Sequence, residues 1–296
     1  MSPHLRLPAL LYLAGAVAAC RADRPSPTTD AAAPPASAAA APAATATAGP
    51  ITVTATDFKL DMPATVPAGA VSIRLVNSGK EFHQAQILRL DQGKTVADLT
   101  AAMKHEGPLP PWLHFVGGPN GVGPGQDATG IASLAPGKYA LVCLIPSPDG
   151  VSHLMKGMIQ PFEVSAGGAE AALPVASDTV RLGDYTFESG RPITAGQHTF
   201  LVTNGAQQPH ELVLLRLAPG KTVKDFGVWA TTGGMKGPPP ALPLGGVAVI
   251  DHGESGVFTA DLAPGNYGLI CFVPDSKDGK PHLMHGMVKQ ITVGRT

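Results

Sequence analysis

Over most of the chain, apolar and polar residues alternate, or run apolar up to a turn residue, in stretches too short for helices. Residues 71–76 read Val-Ser-Ile-Arg-Leu-Val and residues 199–202 read Thr-Phe-Leu-Val, while residues 139–143, Tyr-Ala-Leu-Val-Cys, follow a Pro-Gly turn. A period of two sends successive side chains to opposite faces of a sheet, so these stretches predict the strands of β-sandwiches. Between them, Val96, Leu99, Ala102 and Met103 are spaced helically, with Asp98 near the start, which predicts one short helix over 96–105 on one side of the sandwich. A Pro/Gly-rich loop is expected after it over 107–125, with a counterpart over 233–246. The expected class is all-β.

The first fifty residues break this pattern. Arg6 precedes an apolar run over 7–19, which ends in Val17-Ala18-Ala19-Cys20. This is the layout of an export signal, too short to span a membrane with ordinary flanks. Small residues leading into a cysteine resemble a bacterial lipobox, in which Cys20 is lipidated and becomes the first residue of the mature protein. The other reading is a plain signal peptide cut at the Ala-rich stretch. A lipid at Cys20 would hold the protein on a membrane without spanning it, placing it at the cell envelope, facing the periplasm or the extracellular side. Residues 21–50 are almost all Ala, Pro, Ser and Thr. With so little large apolar surface to offset the entropy of ordering, they predict a disordered, extended tether.

Composition adds two constraints. Gly (35) and Pro (30) are abundant and aromatics make up only 5% of the 296 residues, which suits short strands and turns better than helical bundles. Lys and Arg (21) nearly balance Asp and Glu (22), so there is no polycationic field and nucleic acid is excluded as a partner.

Sliding the sequence against itself by 127 to 129 residues superimposes one feature after another. Asn77 falls on Asn204, His83 on His210, Gly93-Lys94-Thr95-Val96 on Gly220-Lys221-Thr222-Val223, and Gly117-Gly118 on Gly245-Gly246. Leu134-Ala135-Pro136-Gly137 with Tyr139 falls on Leu262-Ala263-Pro264-Gly265 with Tyr267. A period this long predicts a duplication of complete domains rather than a solenoid, over 51–166 and 176–296. The duplication also repeats a set of soft and imidazole donors: Cys143, His153 and Met158 reappear as Cys271, His282 and Met287. Each set has a lone upstream histidine, His83 or His210. A thiolate, two imidazoles and a thioether are the donor types that select a mononuclear blue-copper centre.

These residues resemble the cupredoxins, the blue-copper family. Asn77-Ser78-Gly79-Lys80-Glu81-Phe82-His83 and Asn204-Gly205-Ala206-Gln207-Gln208-Pro209-His210 are similar to the turn before that family's first ligand histidine. Both repeats also contain Pro-Gly-x-Tyr-x-x-x-Cys followed by His-x-x-x-Gly-Met, as PGKYALVC with HLMKGM and PGNYGLIC with HLMHGM. The resemblance covers nearly all of 51–296. It implies two tandem Greek-key cupredoxin-like β-sandwiches, each with a short helix and each holding one copper. By the same analogy His83, Cys143 and His153 are the strong ligands of the first centre with Met158 axial, and His210, Cys271, His282 and Met287 form the second set. The implied role is single-electron transfer or copper handling at the envelope, with an envelope redox partner or a copper donor or acceptor.

One departure bears on that role. Nine residues separate Cys143 from His153 and ten separate Cys271 from His282, a longer loop than the familiar members use. Closing a longer loop adds only about 0.6 kcal/mol per doubling, so binding survives, but the preorganisation that favours fast electron transfer is put in question. Other readings stay open at this point. The two cysteines could form a disulfide across a pseudo-twofold axis, or the fold could be a metal-free module that binds a protein or small ligand. Copper storage or delivery is a third. Met155, Met284 and His285 are alternative soft donors or core and rim packing, and His105, His114 and His252 have no counterpart in the other repeat. Cys143 is followed by Leu144 and Cys271 by Phe272, so the Cys-His dipeptide that couples a blue centre to a second copper is missing. With no phosphate loop, nucleophile elbow or acid/base constellation, the expectation is a carrier or metal-binding protein and not a catalyst.

Overall fold

The computed structural model describes residues 49–104, 109–167 and 172–294. The export signal, Cys20, His105 and the tether up to residue 48 lie outside the described residues.

The first repeat contains β1 (Ile51–Thr56), β2 (Lys59–Asp61), β3 (Thr65–Pro67), β4 (Gly69–Asn77), β5 (Gln86–Leu90), α1 (Val96–Ala102), β6 (Leu113–Phe115), β7 (Asp127–Leu134), β8 (Gly137–Val142) and β9 (Ile159–Ser165). The second contains β10 (Asp178–Gly183), β11 (Thr186–Ser189), β12 (Gly196–Asn204), β13 (His210–Leu217), α2 (Val223–Ala230), β14 (Ala241–Ile250), β15 (Ser255–Leu262), β16 (Gly265–Ile270) and β17 (Val288–Val293). In the first repeat one sheet runs β2-β1-β4-β7 and faces another of order β3-β9-β8-β5-β6. In the second, β11-β10-β12-β15 faces β14-β13-β16-β17. Each repeat carries the same parallel pair, β1 with β4 and β10 with β12, in otherwise mostly antiparallel sheets, so each is a Greek-key sandwich. Among the described residues no helix is long and apolar enough to cross a membrane.

Period-two patterning explains what faces inward. Tyr139, Leu141 and Cys143 point into the core between the first repeat's sheets, while Ala140 and Val142 pack on the opposite face under α1. Tyr267, Leu269 and Cys271 do the same in the second repeat. Each tyrosine hydroxyl donates to the carbonyl four residues back, Ala135 or Ala263, at 2.8 Å, which pins the strand start. The helices begin where the repeated Thr-x-x-Asp places a capping box: Thr95 Oγ1 accepts from the Asp98 amide and Asp98 from the Thr95 amide, and Thr222 and Asp225 repeat this. α1 ends at Ala102, short of the 105 that its spacing suggested.

The expected Pro/Gly-rich loops are only partly loops. The first contributes β6 and the extended segment 116–122, and the second runs into β14. Val116 bridges Ile250, Pro119 bridges Val247 and Val122 bridges Leu244. At the repeat offset, 116 corresponds to 244 and 122 to 250, so the pairing maps onto itself when the repeats are exchanged, as at an isologous interface. The edge strands β7 and β15 pair in the same self-complementary way around Gly130 and Phe258, fusing two four-stranded sheets into one of eight strands. Glycines made these segments look like turns, but their hydrogen-bond partners lie in the other repeat. The doubled glycines serve close approach: a Cβ on Gly118 (φ +111) would lie 2.2 Å from Ala85 O, and one on Gly246 (φ +119) 2.0 Å from Leu212 O.

Candidate metal centres

Three elements deliver the first group of donors. His83 precedes β5 and is held by an antiparallel bridge to Val122. Cys143 follows β8 directly and continues its inward face, and His153 opens the 3-10 turn Leu154–Lys156. The nine-residue insertion is pinched off at its neck: Pro146 bridges Ser152, and the His153 amide donates to Ile145 O at 2.9 Å. The Leu154 amide donates to Cys143 O at 2.8 Å, the Met158 amide to His153 O at 2.9 Å and the Cys143 amide to Met158 O at 3.3 Å. Pro274 and Pro281 close the second neck, with matching bonds from His282 to Val273, Leu283 to Cys271 and Met287 to His282. The extra residues therefore sit on hairpins closed at their necks, and short-range backbone bonds connect the donor positions. Within the insertions, Ser147 and Asp275 are buried, so these are not pure surface excursions.

In the first group His83 Nδ1 lies 3.1 Å from His153 Nδ1, and Cys143 Sγ lies 3.3 Å from His153 Nδ1. In the second, Cys271 Sγ lies 3.5 Å from His282 Nδ1 and 3.9 Å from His210 Nδ1. All six side chains are buried, as are Met158 and Met287. The outer nitrogens face carboxylates: His83 Nε2 meets Asp57 at 3.1 Å, His153 Nε2 meets Glu81 at 2.9 Å and His210 Nε2 meets Asp184 at 3.3 Å. A carboxylate accepts from N–H, which places the proton on Nε2 and leaves Nδ1 as a lone pair. Two lone pairs and a thiol then converge in the first group, and the lone pair of His210 faces the Cys271 thiol in the second.

Burial pushes the Cys143 thiol up to about 12 and the Cys271 thiol also upward. Burial pulls His83 and His210 below their ordinary value, and burial with the neighbouring His210 lowers His282 to about 4. Burial thus favours the neutral forms of both thiols and of the His83, His210 and His282 imidazoles in the metal-free groups. His/Cys/His groups of this donor set, within 4.8 Å of one another, can hold a copper ion each.

No protein-family model and no curated protein matches the chain. Solved structures similar to it include the sodium-dithionite-reduced auracyanin of Roseiflexus castenholzii, 22% identical over 39% of this chain and 95% of that one, with a TM-score of 0.29. Auracyanin A, a blue copper protein of Chloroflexus aurantiacus, is 19% identical over 40% of this chain and 100% of that one (TM-score 0.28). The copper nitrite reductase of Nitrosomonas europaea is 13% identical over 83% of this chain and 93% of that one (TM-score 0.25). The fold is cupredoxin-like. One sequence expectation is corrected by these neighbours: they include nitrite reductases and a multicopper oxidase, which are enzymes, so the exclusion of catalysis is withdrawn.

Among the described residues, the others singled out in the sequence fall away from the donor groups. Cys143 and Cys271 are both free thiols, each with its own histidines, so the disulfide reading does not hold. Met155 and Met284 are exposed on the rim, while Leu154 is buried and Leu283 packs at the second core. His285 meets Asp278 at 3.1 Å, His114 meets Asp91 at 3.0 Å and His252 donates to Ala206 O at 2.7 Å. The sequence reading missed the carboxylates and the aromatic lids. Phe58 packs edge-on against His153 (5.3 Å between centroids) and Tyr185 against His282 (5.4 Å), both from left-handed turn positions (φ 68° and 62°). The signal was present, since Asp57-Phe58 and Asp184-Tyr185 fall on each other at the repeat offset.

Proposed function

We propose that the protein binds one copper at each group, with His83, Cys143, His153 and Met158 as donors in the first repeat and His210, Cys271, His282 and Met287 in the second, and that it moves single electrons. The observation that carries this reading is the convergence of two Nδ1 lone pairs on a buried thiol, the proton of each of His83, His153 and His210 being held away on Nε2 by a carboxylate. Copper would supply the one-electron couple. The chain's own contribution is a buried, closely packed donor frame that needs little movement between oxidation states. Export, a lipid at Cys20 and a partner at the envelope complete the proposal: the anchored protein would reach a membrane redox partner or a copper donor or acceptor. The near-zero net charge argues against strong salt-steered encounter.

The test is oxidation and reduction of the copper-loaded full chain over repeated cycles, followed by visible absorption and electron paramagnetic resonance. Reversible interconversion with copper retained supports electron transfer. Copper held tightly as Cu(I) that does not reoxidise reversibly points instead to storage.

A further inference from the structure

The two repeats share their donors but not the carboxylate behind the second histidine. In the first, His153 Nε2 lies 2.9 Å from Glu81 Oε2, and among the described residues no other donor reaches that carboxylate. The second repeat has Gln208 in place of Glu81 and Asp275 in place of Ser147. The carboxylate has thus moved from the loop before the first histidine to the loop after the cysteine. The move does not reproduce the contact. Asp275 Oδ2 stays 3.8 Å from His282 Nε2, beyond hydrogen-bond reach, and His282 Nε2 is buried without a partner. Asp275 is occupied elsewhere: it accepts from the Tyr185 hydroxyl, from Gln208 Nε2 at 3.0 Å and from the Lys277 amide at 2.8 Å. Ser147 Oγ, at the equivalent place in the first repeat, is also buried without a partner.

Other surroundings match. The amides of Gln84 and Ile145 point at Cys143, and those of Glu211 and Val273, their equivalents, point at Cys271. The upstream histidines both meet an aspartate, Asp57 or Asp184. One further difference is Glu211 itself, whose buried carboxyl accepts from Asn120 Nδ2 at 3.0 Å and the Phe272 amide at 3.0 Å, while Gln84 occupies its place in the first repeat. Comparing one centre with the other would mix these effects, so the informative comparison is between variants of the same centre.

We propose that Glu81 is a positioning residue of the first centre, fixing the His153 ring and strengthening it as a donor to copper, and that relocating the carboxylate to Asp275 leaves His282 without that support. A carboxylate accepting from a ligand imidazole orients the ring and raises its basicity. A more basic imidazole favours Cu(II) over Cu(I), which lowers the reduction potential. The inference rests on the copper reading above and concerns a different quantity.

The experiment uses the full chain in two backgrounds, Cys271→Ser to isolate the first centre and Cys143→Ser to isolate the second, and reads copper stoichiometry, Cu(II) affinity and reduction potential. In the first background Glu81→Gln keeps shape and an acceptor oxygen, so folding is preserved. It is expected to raise the potential and weaken Cu(II) binding about 10- to 100-fold. In the second, Asp275→Asn is expected to move both quantities much less. Gln208→Glu combined with Asp275→Ser, which gives the second centre the pair of the first, is expected to lower its potential. An unchanged potential in Glu81→Gln, or an equal shift from Asp275→Asn, overturns the proposal while copper binding stands. Absence of stoichiometric copper in both backgrounds overturns the copper reading itself.

Discussion

Asn77 and Asn204 fold the loop that presents each upstream histidine, and their removal has a cost that can be worked from the structure. Asn77 Nδ2 donates to Glu81 O at 2.8 Å and Val122 O at 2.9 Å, and its Oδ1 accepts from the Gly79 amide at 2.9 Å. Asn204 repeats this with Gln208 O at 2.8 Å, Ile250 O at 3.0 Å and the Ala206 amide at 3.0 Å. Asn77→Ala deletes all three bonds. Val122 O keeps the His83 amide as a donor, and the groups at Gly79 and Glu81 are only part-buried, so water can reach them. The loss is then closer to one net hydrogen bond per contact than to three desolvated groups, about 2 to 3 kcal/mol in all. Urea unfolding of the metal-free chain measures it, provided the slope is unchanged. Asn204→Ala should cost a similar amount, although a different loop is involved. Each variant should also weaken copper binding at its own centre, because the loop carries His83 or His210. Losses below about 0.5 kcal/mol in both variants, the range of ordinary surface substitutions, with copper affinity untouched, would refute the reasoning.

Other consequences follow from a close backbone approach and from the titrating groups. Gly246→Ala should be among the most damaging substitutions in the chain, since the new Cβ would lie 2.0 Å from Leu212 O at a φ of +119°; a loss of at least about 1 to 3 kcal/mol is expected from backbone strain alone, and a thermal midpoint equal to wild type would contradict the assigned close approach. The metal-free protein should be less stable at pH 5 than at pH 7. His282 titrates near 4 when folded and about 6.5 unfolded, so the unfolded state binds more protons between those values and stability is lost as pH falls through that window. His83 and His210 shift in the same direction, and a urea midpoint that rises on acidification would count against buried neutral imidazoles. Copper binding must expel the Cys143 proton, held up to about 12 in the metal-free state; Cu(II) affinity should therefore rise with pH, with proton release visible in a weakly buffered titration.

Much of this was legible because the chain states its design twice. Tyr139 and Cys143 with Tyr267 and Cys271 show both the strand period and the inward face, and the recurrence of His-x-x-x-Gly-Met shows which later donors belong with them. The carboxylates were harder to see. Asp57 and Asp184 were repeated, but they lie 26 residues before the histidines they contact, and nothing local marks them as partners. Glu81 and Asp275 were less visible still, because the residue that faces the second histidine is not at the same place in the two repeats. The inter-repeat pairing of 116–122 with β14 was hidden for another reason: Gly117-Gly118 and Gly245-Gly246 look like turns until their partners across the pseudo-twofold axis are known. The closed necks of the insertions depend on backbone bonds such as His153 to Ile145, which residue types do not announce.

The most direct test of the account is the copper stoichiometry of the full chain beside Cys143→Ser and Cys271→Ser, with visible absorption and electron paramagnetic resonance on each. Independent centres built by the two repeats predict about two coppers in the parent and about one in each variant, with an intense thiolate-to-copper absorption surviving at the untouched centre. Loss of both centres on replacing one cysteine, or a parent that takes up no stoichiometric copper, would contradict it.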